Sequence, residues 1–188
     1  MRAFLAIEIP DDIKQYLKTI IKTMATKVDG VKWVNEEGQH ITLKFFVEIE
    51  EARAWKIKEA VSMLEKKYSP FVATTKGLSA FPDKRRARVI VITLEKGVDN
   101  IKMIFNDIER GLSTLGIEKE RREFSPHITL GRRKIPMPLL DRDIIEMEEK
   151  TFIIEKLVLF KSTLTKEGPI YTPVWEIKLG GEEGEGRK

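Results

Sequence analysis

Two stretches carry side chains able to move protons. "GQHITLKFF" holds His40 and Thr42, and "SPHITLGRR" holds His127 and Thr129. The chain has only 2 histidines, and each heads the same tetrapeptide, HITL. An imidazole, with an ordinary pKa near 6.5, is neutral or charged at physiological pH according to small changes around it. Two imidazoles facing one phosphorus can divide an in-line displacement between them. The neutral one takes a proton from the entering water or alcohol; the charged one gives a proton to the departing alkoxide. Each role typically contributes about 10²–10⁴-fold in rate. The hydroxyls of Thr42 and Thr129 can hold the non-bridging oxygens as charge builds in the transition state. That division of labour calls for no metal and no organic cofactor.

The chemistry requires strands. Strand side chains alternate between faces, so in HITL the His and Thr point one way and the Ile and Leu the other. His40 and Thr42 then sit about 7 Å apart on one face, at a rise of about 3.4 Å per residue. The apolar pair is free to dock on a helix layer. Arg132, near the end of the second strand, can fork onto phosphate oxygens as a lysine cannot; a plain surface arginine is the alternative. Simple alternation puts Lys44 on the His40 face. Of Phe45 and Phe46, one can stack a nucleobase, and the other belongs to the core.

A zinc site is the competing reading of the histidines, but the chain has no cysteine and no carboxylate lies within either motif. A non-catalytic module that clamps RNA ends is a third, although it gains little from a second histidine. The absence of cysteine also excludes disulfides and a thiol nucleophile, and suits a reducing cytoplasm. No stretch approaches the length of a membrane span, and the opening "MRAFLAIEIP" is too short for a signal peptide. Charge is dense but nearly balanced, with 34 Lys+Arg against 30 Asp+Glu. The surplus gathers in "DKRRAR" and "EKERREF" (Lys84, Arg85, Arg86, Arg88; Lys119, Arg121, Arg122), where it could guide an RNA backbone into a cleft.

Around the motifs, "RAFLAIEI" reads as a strand. A helix over "DIKQYLKTIIKTMATKV" follows, capped by Asp11 or Asp12, with Ile13, Tyr16, Leu17, Ile20, Ile21 and Met24 on one face. "EEARAWKIKEAVSMLEKKY" is expected to be a helix with Trp55, Ala60, Met63 and Leu64 on its inner face. A third helix, "VDNIKMIFNDIERGLSTLG", ends at Gly116. "FVATTKGLSAF", "RARVIVITLE", "TFIIEKLVLFKSTLT" and "PIYTPVWEIKL" read as strands, the last two joined as a hairpin, and a short helix is expected around "LLDRDIIEM". The two motifs stand nearly half the chain apart, as in a molecule of two equivalent lobes. The expected class is α+β, with antiparallel sheets and helices packed on one face of each. Residues 1–180 form one bilobal domain on this reading, and 181–188, "GEEGEGRK", a disordered tail.

The paired HxT motifs, with "RAFLAIEIP" and "LVLFKSTLT…GPIYTPVWEIKL", resemble the 2H phosphoesterase superfamily, and within it the RNA 2′,3′-cyclic phosphodiesterases also called 2′-5′ RNA ligases. The resemblance spans nearly the whole chain. It implies two antiparallel sheets with helices on their outer faces, pseudo-twofold symmetry and a central cleft. It implies metal-independent hydrolysis of RNA 2′,3′-cyclic phosphate ends to 2′-phosphomonoesters, or ligation by the reverse reaction. His40 would be the acid that protonates O3′ and His127 the base that activates water. Thr42, Thr129 and Arg132 would bind phosphate, and Phe45 would stack the base. The implied partners are RNA with 2′,3′-cyclic ends, or cyclic nucleotides. No membrane is involved, and a cytoplasmic monomer is expected.

Overall fold

The computed structural model describes residues 1–181. In chain order the elements are β1 (Arg2–Glu8), α1 (Asp11–Lys27), β2 (Val31–Trp33), β3 (His40–Phe46), α2 (Glu51–Ala60), α3 (Leu64–Lys67), β4 (Phe71–Phe81), β5 (Ala87–Leu94), α4 (Val98–Ser113), β6 (His127–Met137), β7 (Thr151–Ile154), β8 (Lys156–Thr165) and β9 (Gly168–Lys178). They build two sheets, ordered β3-β1-β8-β9 and β2-β6-β5-β4-β7. Every pairing is antiparallel. The result is the expected two-lobed α+β fold.

The lobes are not the two halves of the sequence. The first sheet takes β1 and β3 from the start of the chain and β8 and β9 from its end, while the second takes everything between, including β2. "TFIIEKLVLFKSTLT" is therefore not one strand. It breaks at Glu155, so that β7 pairs with β4 in one sheet and β8 with β1 in the other. Apolar residues run through both pieces with no Gly or Pro between them, which hides the break.

The chain leaves β1 through Pro10, which takes the cap position of α1. Asp11 and Asp12 lie inside the first turn, where Asp12 Oδ1 accepts from the Ile13 N–H at 2.9 Å. Their charges also complement the partial positive charge of the helix start. Ile13, Leu17, Ile20 and Met24 are buried as the period requires, with Tyr16 and Ile21 at the edge. The face expected for the next helix is wrong. Leu64 is buried as expected and Ala60 half-buried, but Trp55 and Met63 are exposed, and Ala54, Ile57 and Val61 are buried in their place. A turn at residues 61–63 separates α2 from α3, so a period read straight through it follows no single face. In α4, Ile101, Ile104, Phe105, Ile108 and Leu112 are all buried.

That helix ends in a Schellman arrangement. Gly116 lies at φ 72°, its N–H donates to the Ser113 carbonyl, and the Ile117 N–H donates to that of Leu112. Around "LLDRDIIEM" only a single 3-10 turn forms, Asp141–Asp143.

One continuous apolar core serves both lobes, drawing Leu5, Ile7 and Ile41 from one sheet and Ile90, Ile92 and Ile128 from the other. Trp175 of β9 donates its indole N–H to the Ala54 carbonyl of α2 at 2.8 Å, which holds that helix to the first sheet. Gly180 and Gly181 donate to the carbonyls of Glu65 and Tyr68, both at 2.9 Å, so the bonded chain runs through Gly181. The remainder of the expected tail, 182–188, lies outside the described residues.

Candidate active site

The two HITL segments open β3 and β6, the strands through which the two sheets face each other. In both, the Ile and Leu are buried and the His and Thr are half-buried. His40, Thr42, His127 and Thr129 all line one cavity of about 800 Å³. The sequence is thus right that the motifs meet in a single cleft.

The strands do not stay regular beyond the motifs. Leu43 of β3 has no partner on β1, where Ala6 faces Thr42 and Leu5 faces Lys44. In β6, Leu130 is likewise skipped, with Val91 facing Thr129 and Ile90 facing Gly131. Each motif therefore ends in a β-bulge at its leucine. An extra residue reverses the alternation beyond it. Lys44, expected on the His40 face, is turned to the opposite side. Phe45 and Arg132, which hold the same place in the two motifs, are brought onto the cleft face, and both line the cavity. The two repeats thus present an aromatic ring from one lobe and a guanidinium from the other.

Lys44 is buried. Its ammonium lies 3.0 Å from Glu109 Oε1 on α4 and 3.1 Å from Glu120 Oε1, and it donates to the Glu118 carbonyl at 2.8 Å. Glu109 in turn accepts from the Glu120 N–H at 2.6 Å. This cluster ties β3 to the loop that leads into His127. At the corresponding place in β6 stands Gly131. A Cβ there would fall 2.4 Å from Val31 Cγ1 and 2.9 Å from Trp33 Cε3, so glycine is needed to seat β2 beside β6.

His40 is held among aromatic rings that come from distant parts of the chain. It stacks on Phe4 with centroids 4.6 Å apart and meets Tyr171 edge-on at 5.8 Å. Phe160 backs Phe4 at 5.4 Å. Burial pushes the His40 pKa down to about 4, helped by the charges of Lys14 and Arg132, while the Glu37 carbonyl works in the other direction. His127 is also lowered, by burial first and by Arg132, against the Ser125 carbonyl. Its Nδ1 lies 2.7 Å from that carbonyl. A carbonyl can only accept, so Nδ1 carries the hydrogen, and in the neutral ring the Nε2 lone pair is free.

Sequence reasoning missed Phe4, Tyr171, Arg2, Lys32 and Ser162, which also line the cavity. Alternation in β1 could have placed Arg2 and Phe4 opposite Leu5. Lys32 reaches the cleft because it stands across from Arg132 in the β2–β6 ladder. Of the two basic clusters, Arg122 lines an adjoining cavity that shares Thr42, His127 and Arg132 with the first, whereas Lys84, Arg85, Arg86 and Arg88 line neither. Among the described residues no group of three or more His, Asp, Glu or Cys side chains could hold a metal ion, and no helix is long and apolar enough to cross a membrane.

Two substitutions probe the bulge-placed residues. Phe45→Ala removes a ring that is 61% exposed. It is expected to raise KM for a cyclic nucleotide by about tenfold, the scale of one lost base stack, with little change in kcat. Arg132→Lys keeps the charge and loses the fork. It is expected to lower kcat/KM by roughly ten- to a hundredfold, the scale of a charged hydrogen bond. Steady-state kinetics on 2′,3′-cyclic AMP checks both.

Comparison with known proteins bears on the family and the fold. The sequence pattern of the family described as LigT like Phosphoesterase matches the chain twice, over residues 7–91 and 92–171. One HITL falls in each match. A protein of Aquifex aeolicus named RNA 2′,3′-cyclic phosphodiesterase is 35% identical over 188 residues, covering 96% of this chain and 98% of its own length. A Methanocaldococcus jannaschii protein of the same name is 37% identical over 181 residues, covering 94% and 99%. A Thermus thermophilus crystal structure superposes with a TM-score of 0.80 at 26% identity, over 97% of this chain and 100% of that one. Escherichia coli LigT, solved with 3′-AMP, shares the fold with a TM-score of 0.77 at 18% identity, over 95% and 97%.

Proposed function

Since the chain belongs to the LigT-like phosphoesterase family, we propose that its cleft hydrolyses the 2′,3′-cyclic phosphate at RNA ends. The chain is on this reading an RNA 2′,3′-cyclic phosphodiesterase, the name its relatives carry. The observation that carries it is the pair of His-x-Thr strands lining one cavity, each ended by the same bulge.

The cyclic phosphate lies between β3 and β6. Thr42 and Thr129 donate to its non-bridging oxygens, and Arg132 forks onto the same group. Water enters opposite O3′, and Nε2 of His127 takes its proton. The P–O3′ bond breaks as His40 delivers a proton to O3′, leaving the phosphate on O2′. The Ser125 contact supports His127 as base, because it fixes the tautomer with Nε2 free. Phe4, Phe45 and Tyr171 offer their rings to the nucleoside on the His40 side. Residues 1–180 act as one domain, a cytoplasmic monomer whose partner is the RNA end.

The decisive experiment incubates the protein with 2′,3′-cyclic AMP in EDTA and identifies the isomer formed. Adenosine 2′-phosphate is expected at an undiminished rate. Adenosine 3′-phosphate would reverse the leaving group, and a rate restored only by added zinc would favour the metal reading.

The pH dependence has a particular form. Activity needs His127 neutral, which is gained as pH rises through its lowered pKa. It needs His40 charged, which is lost as pH rises through about 4. Both values lie below 6.5, so kcat/KM, which reports the free enzyme, should peak below pH 6.5 and fall about tenfold per unit above it. The bound anion raises both pKa values, so the kcat profile should lie at higher pH. A kcat/KM optimum above pH 7 would refute the assignment.

A further inference from the structure

The cavity that holds both histidines is lined by three cations, Arg2, Lys32 and Arg132, and by no carboxylate. Among the described residues none of the three is paired with an Asp or Glu side chain. A 2′,3′-cyclic phosphate is a diester with a single negative charge, and Arg132 forks onto it on the reading above. Lys32 stands across from Arg132 in the β2–β6 ladder and serves the same phosphate. Arg2 is left over, in the other lobe.

Three rows of paired residues cross the cleft face of the first sheet. Ala6 of β1 pairs with Thr42 and Val158, Phe4 with Phe45 and Phe160, and Arg2 with Ser162, which pairs in turn with Tyr171. Along β1 the rows are two residues apart, so each lies about 7 Å beyond the last. Thr42 is at the reacting phosphate, rings form the middle row, and the third row carries a guanidinium, a hydroxyl and a phenol. All three of these side chains line the cavity. Burial raises the Tyr171 pKa, against the charges of Arg132 and Arg2 and with that of Glu37, so its hydroxyl keeps its hydrogen and can donate. A nucleoside laid over the ring row with its 2′,3′ end at Thr42 turns its 5′ end toward these donors. A guanidinium beside two hydroxyls suits phosphate oxygens. RNA supplies a phosphate at that place, and a free nucleoside cyclic phosphate does not.

We propose that Arg2, with Ser162 and Tyr171, is the subsite for the phosphodiester on the 5′ side of the terminal nucleotide, so that the cleft selects RNA ends over free cyclic nucleotides. The proposal rests on the phosphate position given above and adds a second anchor to it, one nucleotide upstream. An anchor remote from the reacting phosphorus binds ground state and transition state alike, so its effect falls on KM.

The test compares two ApA dinucleotides ending in a 2′,3′-cyclic phosphate, one with its natural linkage and one with a neutral methylphosphonate linkage, beside 2′,3′-cyclic AMP. The natural linkage should give a kcat/KM about tenfold above both the neutral dinucleotide and 2′,3′-cyclic AMP, the scale of one charged hydrogen bond. Arg2→Gln should bring the two dinucleotides near parity, and Arg2→Lys, which keeps the charge, should retain part of the preference. Each variant is its own reference, so a loss of folded protein cancels from the ratio. Lys32→Gln should leave the preference in place. Equal rates on the two dinucleotides by the parent protein would overturn the proposal. So would a preference that survives Arg2→Gln, or one that Lys32→Gln removes in its place. Turnover of 2′,3′-cyclic AMP in any of those cases leaves the catalytic reading standing. No turnover of any of the three substrates would sink that reading and this proposal together.

Discussion

Alanine at His40 or at His127 is expected to slow cyclic-phosphate hydrolysis by about 10²–10⁴-fold in either case, the usual worth of one general acid or base. The double variant should be little worse than the poorer single, because groups acting in one step are not additive. Both histidines are half-buried at the cleft wall and not in the core, so circular dichroism and melting should change little. The two variants must also differ in kind. A phosphodiester with a p-nitrophenolate leaving group needs no proton on departure. His40→Ala should retain much of its turnover of that substrate, whereas His127→Ala should not. In kcat/KM, His127→Ala should lose the ionisation of the base, and His40→Ala that of the acid. Either variant keeping cyclic-phosphate activity within tenfold of the parent would end the two-histidine mechanism.

Lys44→Met should cost about 3–5 kcal/mol of folding stability, as when one partner of a buried ion pair is removed. Glu109 is 5% exposed, and without Lys44 its carboxylate has no cation in reach among its described contacts. For a chain of this size the loss corresponds to a fall in melting temperature of roughly 10 °C. Adding Glu109→Gln removes the stranded charge and keeps an oxygen to accept from the Glu120 N–H. The double variant should therefore recover most of the lost stability, since replacing both charges is far less costly than orphaning one. Urea titration of the two single variants and the double measures this cycle. A Lys44→Met protein within 1 kcal/mol of the parent would show that the cluster is solvated and does not brace the loop before His127.

Much of this site was legible in the letters. Alternation alone placed His40, Thr42, His127 and Thr129 on a cleft face with Ile41, Leu43, Ile128 and Leu130 behind them, because a half-buried strand has a strict period of two. It failed one residue past each motif. The bulges at Leu43 and Leu130 are properties of pairing with β1 and β5; β3 carries no sign of its own, and in β6 only Gly131, next to Leu130, marks the place. Hence Lys44 was assigned to the wrong face, and the common placement of Phe45 and Arg132 was invisible. The ring cage around His40 was hidden for a related reason: Phe4, Phe160 and Tyr171 come from three strands that only tertiary pairing brings together. The misread inner face of α2 and α3 has a local cause, a turn at 61–63 with no Gly or Pro to announce it.

The interleaving of the sheets bears on how the molecule is made. β1 lies between β3 and β8, yet β3 leaves the ribosome early and β8 only after about four-fifths of the chain. At roughly 5–20 residues per second, β1 waits on the order of ten seconds or more for its second neighbour. Its sequence, "RAFLAIE", is largely apolar, and through that interval it offers an open edge of the kind that recruits foreign strands. The His40 half of the cleft is written first and closed last, which makes the nascent chain, and not the finished enzyme, the stage most exposed to aggregation.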